Sequence, residues 1–252
     1  MSSTVRRSSH HRWAPRALAP LGLVAAAHMV PSVVSLGQWA PLRVLPGELC
    51  RWRGPDRNAV ALTFDDGPDP RSSPLVLDRL DELSLTATFF CLGQQVVAHP
   101  ELVREIRQRG HQVECHGFRH DHHFVRTPRW VRADLSAAID ALGQVGITPR
   151  WFRPPFGQTS GATMVEARRH GLRLVLWSAW GREWDEPDAT GVARRVQSGL
   201  GPGAIVLLHD ADGQSPPGSS QRATEALGPL ADSLHRQGLT ALSLDELVGL
   251  PR

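Results

Sequence analysis

A parallel α/β fold, its sheet open or closed into a barrel, is what this sequence predicts. Three observations carry the expectation. From Ala59 onward short apolar runs alternate with amphipathic segments, the pattern of strands joined by crossover helices. The chain has 252 residues and 41% hydrophobic composition, enough for one sizeable core, and α/β barrels of this length form single domains. Nothing repeats at a period of about 20–50 residues, which argues against a solenoid.

The first expected strand, 59–65, is an apolar run from Ala59 to Phe64 that stops on Asp65 and the turn Gly67-Pro68-Asp69-Pro70. A helix is expected over 74–83 and a second strand over 86–92, TATFFCL. A helix is expected over 95–109, and the segment PELVREIRQRG (100–110) carries the signals, proline at its start and glycine at its stop. Strands at 111–115 and 150–153 flank a helix over 128–143, and Arg153 leads into a restrained Pro-Pro loop. Helices over 161–170, 188–199 and 221–237 then alternate with strands at 172–178, 203–208 and 239–242.

The N-terminal part reads differently. Residues 1–16 hold Arg6, Arg7, Arg12 and Arg16 and no acid, and residues 17–42 hold no charged side chain. This is the pattern of a basic region followed by an apolar signal or anchor, and places the protein at the cell envelope, exported or membrane-anchored. Pro20, His28, Pro31 and Gln38 weaken a spanning helix, so the alternative is an N-terminal arm on a cytoplasmic enzyme. Residues 43–57, with Pro46, Gly47, Gly54 and Pro55, read as a linker to a body over 58–252.

Charge and composition exclude several functions. The net charge is +3, but residues 1–57 hold eight arginines against Glu48 and Asp56. The remaining body carries 20 basic and 23 acidic groups, so a nucleic-acid partner is not expected. The absence of lysine removes Schiff-base and P-loop chemistry, and the absence of tyrosine removes a phenolic acid. Cys50, Cys91 and Cys115 have no CxxC spacing, and the last two read as small buried hydrophobes.

Functional groups of parallel α/β folds gather where strands end. Here Asp65 and Asp66 close the first strand, His116 and His120 follow the third, Arg153 closes the fourth, and His209-Asp210 close the sixth. An apolar strand has no structural use for two adjacent anions, whose side chains would leave on opposite faces. The four-residue spacing of His116 and His120 would bring both imidazoles to one face of a helical turn. With one carboxylate they make a 2-His-1-carboxylate set with open positions. One acid of the pair would then be a ligand and the other a base, while His122 and His123 compete for the ligand role.

These residues fall in an order that resembles a known family. TFDDGP (63–68), HGFRH (116–120), RPPFG (153–157), WGREW (180–184) and LLHD (207–210) are similar to the five motifs of the polysaccharide deacetylases, the NodB-homology enzymes of carbohydrate esterase family 4. The resemblance spans residues 58–248. It implies a distorted (β/α) barrel with about seven parallel strands that hydrolyses N-acetyl groups of an amino-sugar glycan, chitin-like or peptidoglycan-like. It implies one divalent metal on Asp66, His116 and His120, zinc first, with cobalt or another divalent ion as alternatives. Asp65 would be the base, oriented by Arg153, and His209 the acid. Trp184 and Leu207 would line the acetyl pocket, and the Phe156 main chain would face the oxyanion. The expected partner is an N-acetylated glycan, handled by a monomer, with membrane association through the arm.

Two positions depart from the family pattern. Gly117 stands where a loop-shaping Ser or Thr is usual, and Trp180 stands where the fourth motif has the carboxylate that partners the acid histidine. Glu183 or Asp185 could supply that charge. The alternatives are the same barrel acting on a small non-sugar amide, or a catalytically weak glycan-binding barrel.

Overall fold

The computed structural model describes residues 50–55 and 57–250, so the expected signal or anchor over 1–42 lies outside the described residues. Among the described residues no helix is long and apolar enough to cross a membrane.

The strands are β1 (Ala59–Asp65), β2 (Ala87–Cys91), β3 (Gln112–Cys115), β4 (Trp151–Phe152), β5 (Arg173–Leu174), β6 (Ala179–Trp180), β7 (Ile205–His209) and β8 (Thr240–Ala241). Seven run side by side in the order β5-β4-β3-β2-β1-β7-β6, and β8 joins the start of β1 beyond the reach of β7. Every pairing is parallel, and the sheet curls into the expected distorted (β/α) barrel. All seven residues of β1 are buried, as a central parallel strand covered on both faces requires. Phe64 stacks on Phe89 of the neighbouring strand at 5.1 Å.

The helices are α1 (Ser73–Glu82), α2 (Gly93–Ala98), α3 (Pro100–Gln108), α4 (Pro128–Gln144), α5 (Gly161–Arg169), α6 (Ala189–Gln197), α7 (Ser219–Arg236) and α8 (Leu244–Val248). The single helix expected over 95–109 is two. His99, with φ −135° and ψ 56°, breaks it because a residue before proline is driven out of the helical region. The final helix, α8, was not expected. It spans five residues, too few for a periodic pattern, and is started by a capping box between Ser243 and Glu246.

The strand expected over 172–178 survives only as Arg173–Leu174, and a further short strand, Ala179–Trp180, follows. Between them Val175, Leu176 and Trp177 stay buried; Val175 N–H still donates to Phe152 O at 3.1 Å, and the pairing with β4 ends there. Their main chain finds other partners: Leu176 N–H donates to Arg51 O at 2.8 Å, and Leu176 O accepts from Arg153 Nη2 at 3.1 Å. Arg51 also donates to Leu174 O at 2.9 Å, while Gly54 N–H donates to Gly203 O at 2.7 Å. Arg51 bridges Val175 and Arg53 bridges Ala204. The end of the expected linker thus spans the gap between β5 and the start of β7, with Cys50 buried beneath it.

Candidate active site

The rim at the C-terminal ends of the strands collects the charged residues. Asp65 ends β1 in register with His209 at the end of β7, so the two stand side by side on neighbouring strands. Asp65 is 3% exposed, and a bare carboxylate there would be costly. Arg153, fully buried at the end of β4, offsets that cost. Its Nη1 donates to Asp65 Oδ1 at 2.7 Å and to Thr63 Oγ1 at 2.7 Å. The guanidinium packs 4.2 Å from the Phe90 ring centroid. Burial pushes the Arg153 pKa down, and the Asp65 carboxylate opposes that shift through its charge and the hydrogen bond.

Asp66 follows in a left-handed conformation, φ 82°, which turns the chain sharply after the strand. The turn is fastened from below by Asp210, the residue after His209. Asp210 Oδ1 accepts from Gly67 N–H at 3.1 Å, Oδ2 accepts from Ser73 Oγ at 2.5 Å, and its carbonyl accepts from Ser72 Oγ at 2.6 Å. A Cβ at Gly67 would sit 2.1 Å from Asp210 Oδ2, so only glycine lets the carboxylate come this close. Burial raises the Asp210 pKa to about 7, against the pull of the Ser73 hydrogen bond.

Asp66 Oδ1 lies 3.3 Å from His116 Nε2 and 3.3 Å from His120 Nε2, and the three ligand atoms are within 4.8 Å of one another. His116 Nδ1 donates to Arg153 O at 2.8 Å, so in the neutral ring Nε2 is the nitrogen that carries the lone pair. Burial pushes His120 down to about 4, so its imidazole is neutral at ordinary pH. Asp66 Oδ1 is buried with no hydrogen-bond partner among the described residues. Acceptors converging without a donor between them are the donor set a divalent cation satisfies, and these residues fit one.

The two imidazoles meet across a bend rather than on the expected helical turn. Gly117, φ +89°, makes the bend, and Asp134 of α4 accepts from Phe118 N–H at 2.9 Å and Arg119 N–H at 3.1 Å. A carboxylate from a distant helix therefore shapes the loop where a local hydroxyl is the usual device. His122 and His123 are elsewhere. His122 Nδ1 bonds Gln158 Oε1 at 2.8 Å at the rim, and His123 is fully buried beside Thr163.

His209 is held by Glu183, which is fully buried. Glu183 Oε1 accepts from His209 N–H at 3.0 Å, and Oε2 lies 3.3 Å from His209 Nδ1. Burial alone would lower the His209 pKa, but the Glu183 carboxylate overrides it and carries it up to about 9. Asp185 pairs instead with Arg182. Glu183 is thus the carboxylate beside the histidine, and Trp180 faces the cavity.

That cavity, about 420 Å³, is walled by Leu207 and a row of three indoles. Trp177 lies 5.3 Å from Trp180, Trp180 lies 5.5 Å from Trp184, and Trp184 meets His209 edge-on at 5.4 Å. Its mouth carries Phe156, Gln158, Gln214, Ser215 and Pro216. Phe156, φ 58°, is 43% exposed with its ring against His120. Trp177, Gln158 and the 214–216 loop carried no motif in the sequence; their membership follows from the fold alone.

A profile of the family described as polysaccharide deacetylase matches residues 53–175. A chitooligosaccharide deacetylase of Bradyrhizobium sp. is 34% identical over 200 residues, covering 75% of this chain and 90% of that protein. A peptidoglycan-N-acetylglucosamine deacetylase of Bacillus cereus is 32% identical over 203 residues, covering 78% of this chain and 92% of that protein. Among solved structures, a peptidoglycan N-acetylglucosamine deacetylase superimposes with a TM-score of 0.75 at 27% identity, covering 81% of this chain and 94% of that one.

Proposed function

The chain belongs to the polysaccharide deacetylase family, and from its site we propose that it is a metal-dependent hydrolase removing N-acetyl groups from an amino-sugar glycan of the chitin or peptidoglycan type. The observation that carries the reading is Asp66 Oδ1, buried and unpartnered between two imidazole nitrogens at 3.3 Å, next to an Asp65 tethered by Arg153.

Asp66, His116 and His120 would hold the cation. When bound, a divalent ion held there, zinc first, would supply Lewis-acid polarisation of the acetamide carbonyl and would lower the pKa of water towards ~7. Asp65 takes a proton from the attacking water, and Arg153 holds its carboxylate in place. The Phe156 main chain meets the developing oxyanion. His209, protonated through Glu183, delivers a proton to the departing amine as the C–N bond breaks, leaving acetate and a free amino sugar. Leu207 and Trp184, joined by Trp177 and Trp180, offer an apolar wall to the acetyl methyl. The amide and hydroxyl groups of Gln158, Gln214 and Ser215 at the mouth suit sugar hydroxyls.

The test is acetate release from N-acetylglucosamine oligomers and from peptidoglycan, before and after chelation and again after zinc is returned. Release that chelation abolishes and zinc restores is expected. Release from simple N-acetyl amides but from neither glycan would overturn the sugar assignment, and chelator-insensitive release would overturn the metal.

A further inference from the structure

His116 and His120 are held in different ways. The His116 ring is fixed by a hydrogen bond, Nδ1–H to Arg153 O at 2.8 Å. His120 Nδ1 is buried and meets no protein acceptor among the described residues. What the His120 ring does meet is Phe156, with centroids 4.2 Å apart at 59°. Phe156 in turn stacks face to face on His122 at 3.7 Å and 11°, and His122 Nδ1–H donates to Gln158 Oε1 at 2.8 Å. Phe156 pays for its place twice, with a left-handed backbone at φ 58° and an apolar ring 43% exposed. Such a cost persists where the surroundings impose it and the site uses it.

We infer that the Phe156–His122 stack is the positioning device for His120. It rests on the reading of Asp66, His116 and His120 as the metal site. Packing keeps the His120 Nε2 directed at Asp66 Oδ1, 3.3 Å away, as the Arg153 carbonyl does for His116 by hydrogen bonding. His122 acts through its ring face and not as a ligand. The hydrogen bond to Gln158 ties the 120–124 loop to the loop after β4, so that the two cross the cavity mouth as one unit.

The experiment measures zinc affinity of the full chain by competition with a chromophoric chelator, together with the absorption spectrum of the cobalt-substituted protein. His122→Ala is expected to weaken zinc about tenfold, the lower end of what losing an outer-shell partner costs, and to change the cobalt spectrum. His122→Phe keeps the stack but cannot ligate, and is expected to bind zinc like the unaltered chain. Phe156→Leu should match His122→Ala, and the double variant should be no worse than Phe156→Leu, because both break one device. His122→Ala binding as tightly as the unaltered chain overturns the inference, and so does His122→Phe losing as much as His122→Ala. Weaker binding with an unchanged cobalt spectrum and an equal loss of metal-free stability also overturns it, in favour of general destabilisation. An unaltered chain that takes up no zinc overturns the metal reading first and this one with it.

Discussion

The two adjacent aspartates hold unlike environments although they are neighbours in the chain. Asp65 receives Arg153, whereas Asp66 Oδ1 lies between two imidazole nitrogens. Asp65→Asn keeps shape and an acceptor but cannot take a proton. It should retain stoichiometric zinc and lose about 10²–10⁴ in kcat, the usual worth of a positioned proton transfer. Asp66→Asn should lose zinc instead, with activity partly recovered in excess metal. Metal analysis beside initial rates checks both, and the assignment fails if Asp65→Asn turns over normally. His209 supplies a second test. Its pKa, up at about 9, keeps it protonated through neutral pH, so the alkaline limb of the rate profile should lie well above neutrality. The same shift adds folding stability that is present in full below the ordinary histidine value of ~6.5 and is lost as pH rises through the folded value. Glu183→Gln removes the charge that outweighs burial, so the limb should move to lower pH; Asp185→Asn should leave it in place. A limb unmoved in Glu183→Gln would show that another group sets it.

At the scale of the element, the loop after β3 is a bend stabilised from outside. Gly117 carries φ +89°, and a Cβ there would approach Asp134 Oδ2 to 3.1 Å. The family's Ser at this position should therefore harm this chain. Gly117→Ser should cost about 1–2 kcal/mol for a left-handed residue bearing a Cβ, seen as a lower unfolding midpoint. It should also push Asp134 from the N–H groups of Phe118 and Arg119 and weaken zinc. Equal stability and zinc affinity in Gly117→Ser would mean that the bend is less constrained than its backbone indicates. His99 and Pro100 show the same scale of effect in a helix, where one residue before proline divides what apolar periodicity joins.

For the whole molecule, the barrel is completed by a segment that precedes its first strand. Arg51 and Gly54 bond Leu174, Leu176 and Gly203, main-chain groups that burial would leave costly if unpaired. A shortened chain starting at Arg43 should stay soluble and active. One starting at Asn58 should unfold at lower temperature and lose activity, measured by heat denaturation and acetate release. Equal midpoints for the two would show that the segment closes nothing. We further propose that the basic and apolar arm over 1–42 directs the protein to the envelope, where fractionation should find it exported or in membranes. Recovery from cytosol alone would reverse that reading.

TFDDGP, with an apolar run ending on two acids, was legible because strand, turn and charge are all local patterns. So were most of the order of elements, the histidine pair and the apolar run of β1 from Ala59 to Leu62. The tertiary structure decided what local pattern cannot encode. It chose Glu183 over Asp185, two positions apart, because only Glu183 lies beneath the end of β7. It separated His116 and His120 from His122 and His123, all in one short histidine-rich stretch, by bending at Gly117 and packing the others on Gln158 and Thr163. It brought Trp177 to the cavity wall, and bridged Arg51 and Arg53, at the end of a stretch read as linker, to the sheet. Each decision is a contact between residues far apart in the chain or a choice among identical side chains. The free energy of such contacts depends on which surfaces the fold buries together, and only the folded chain makes that choice.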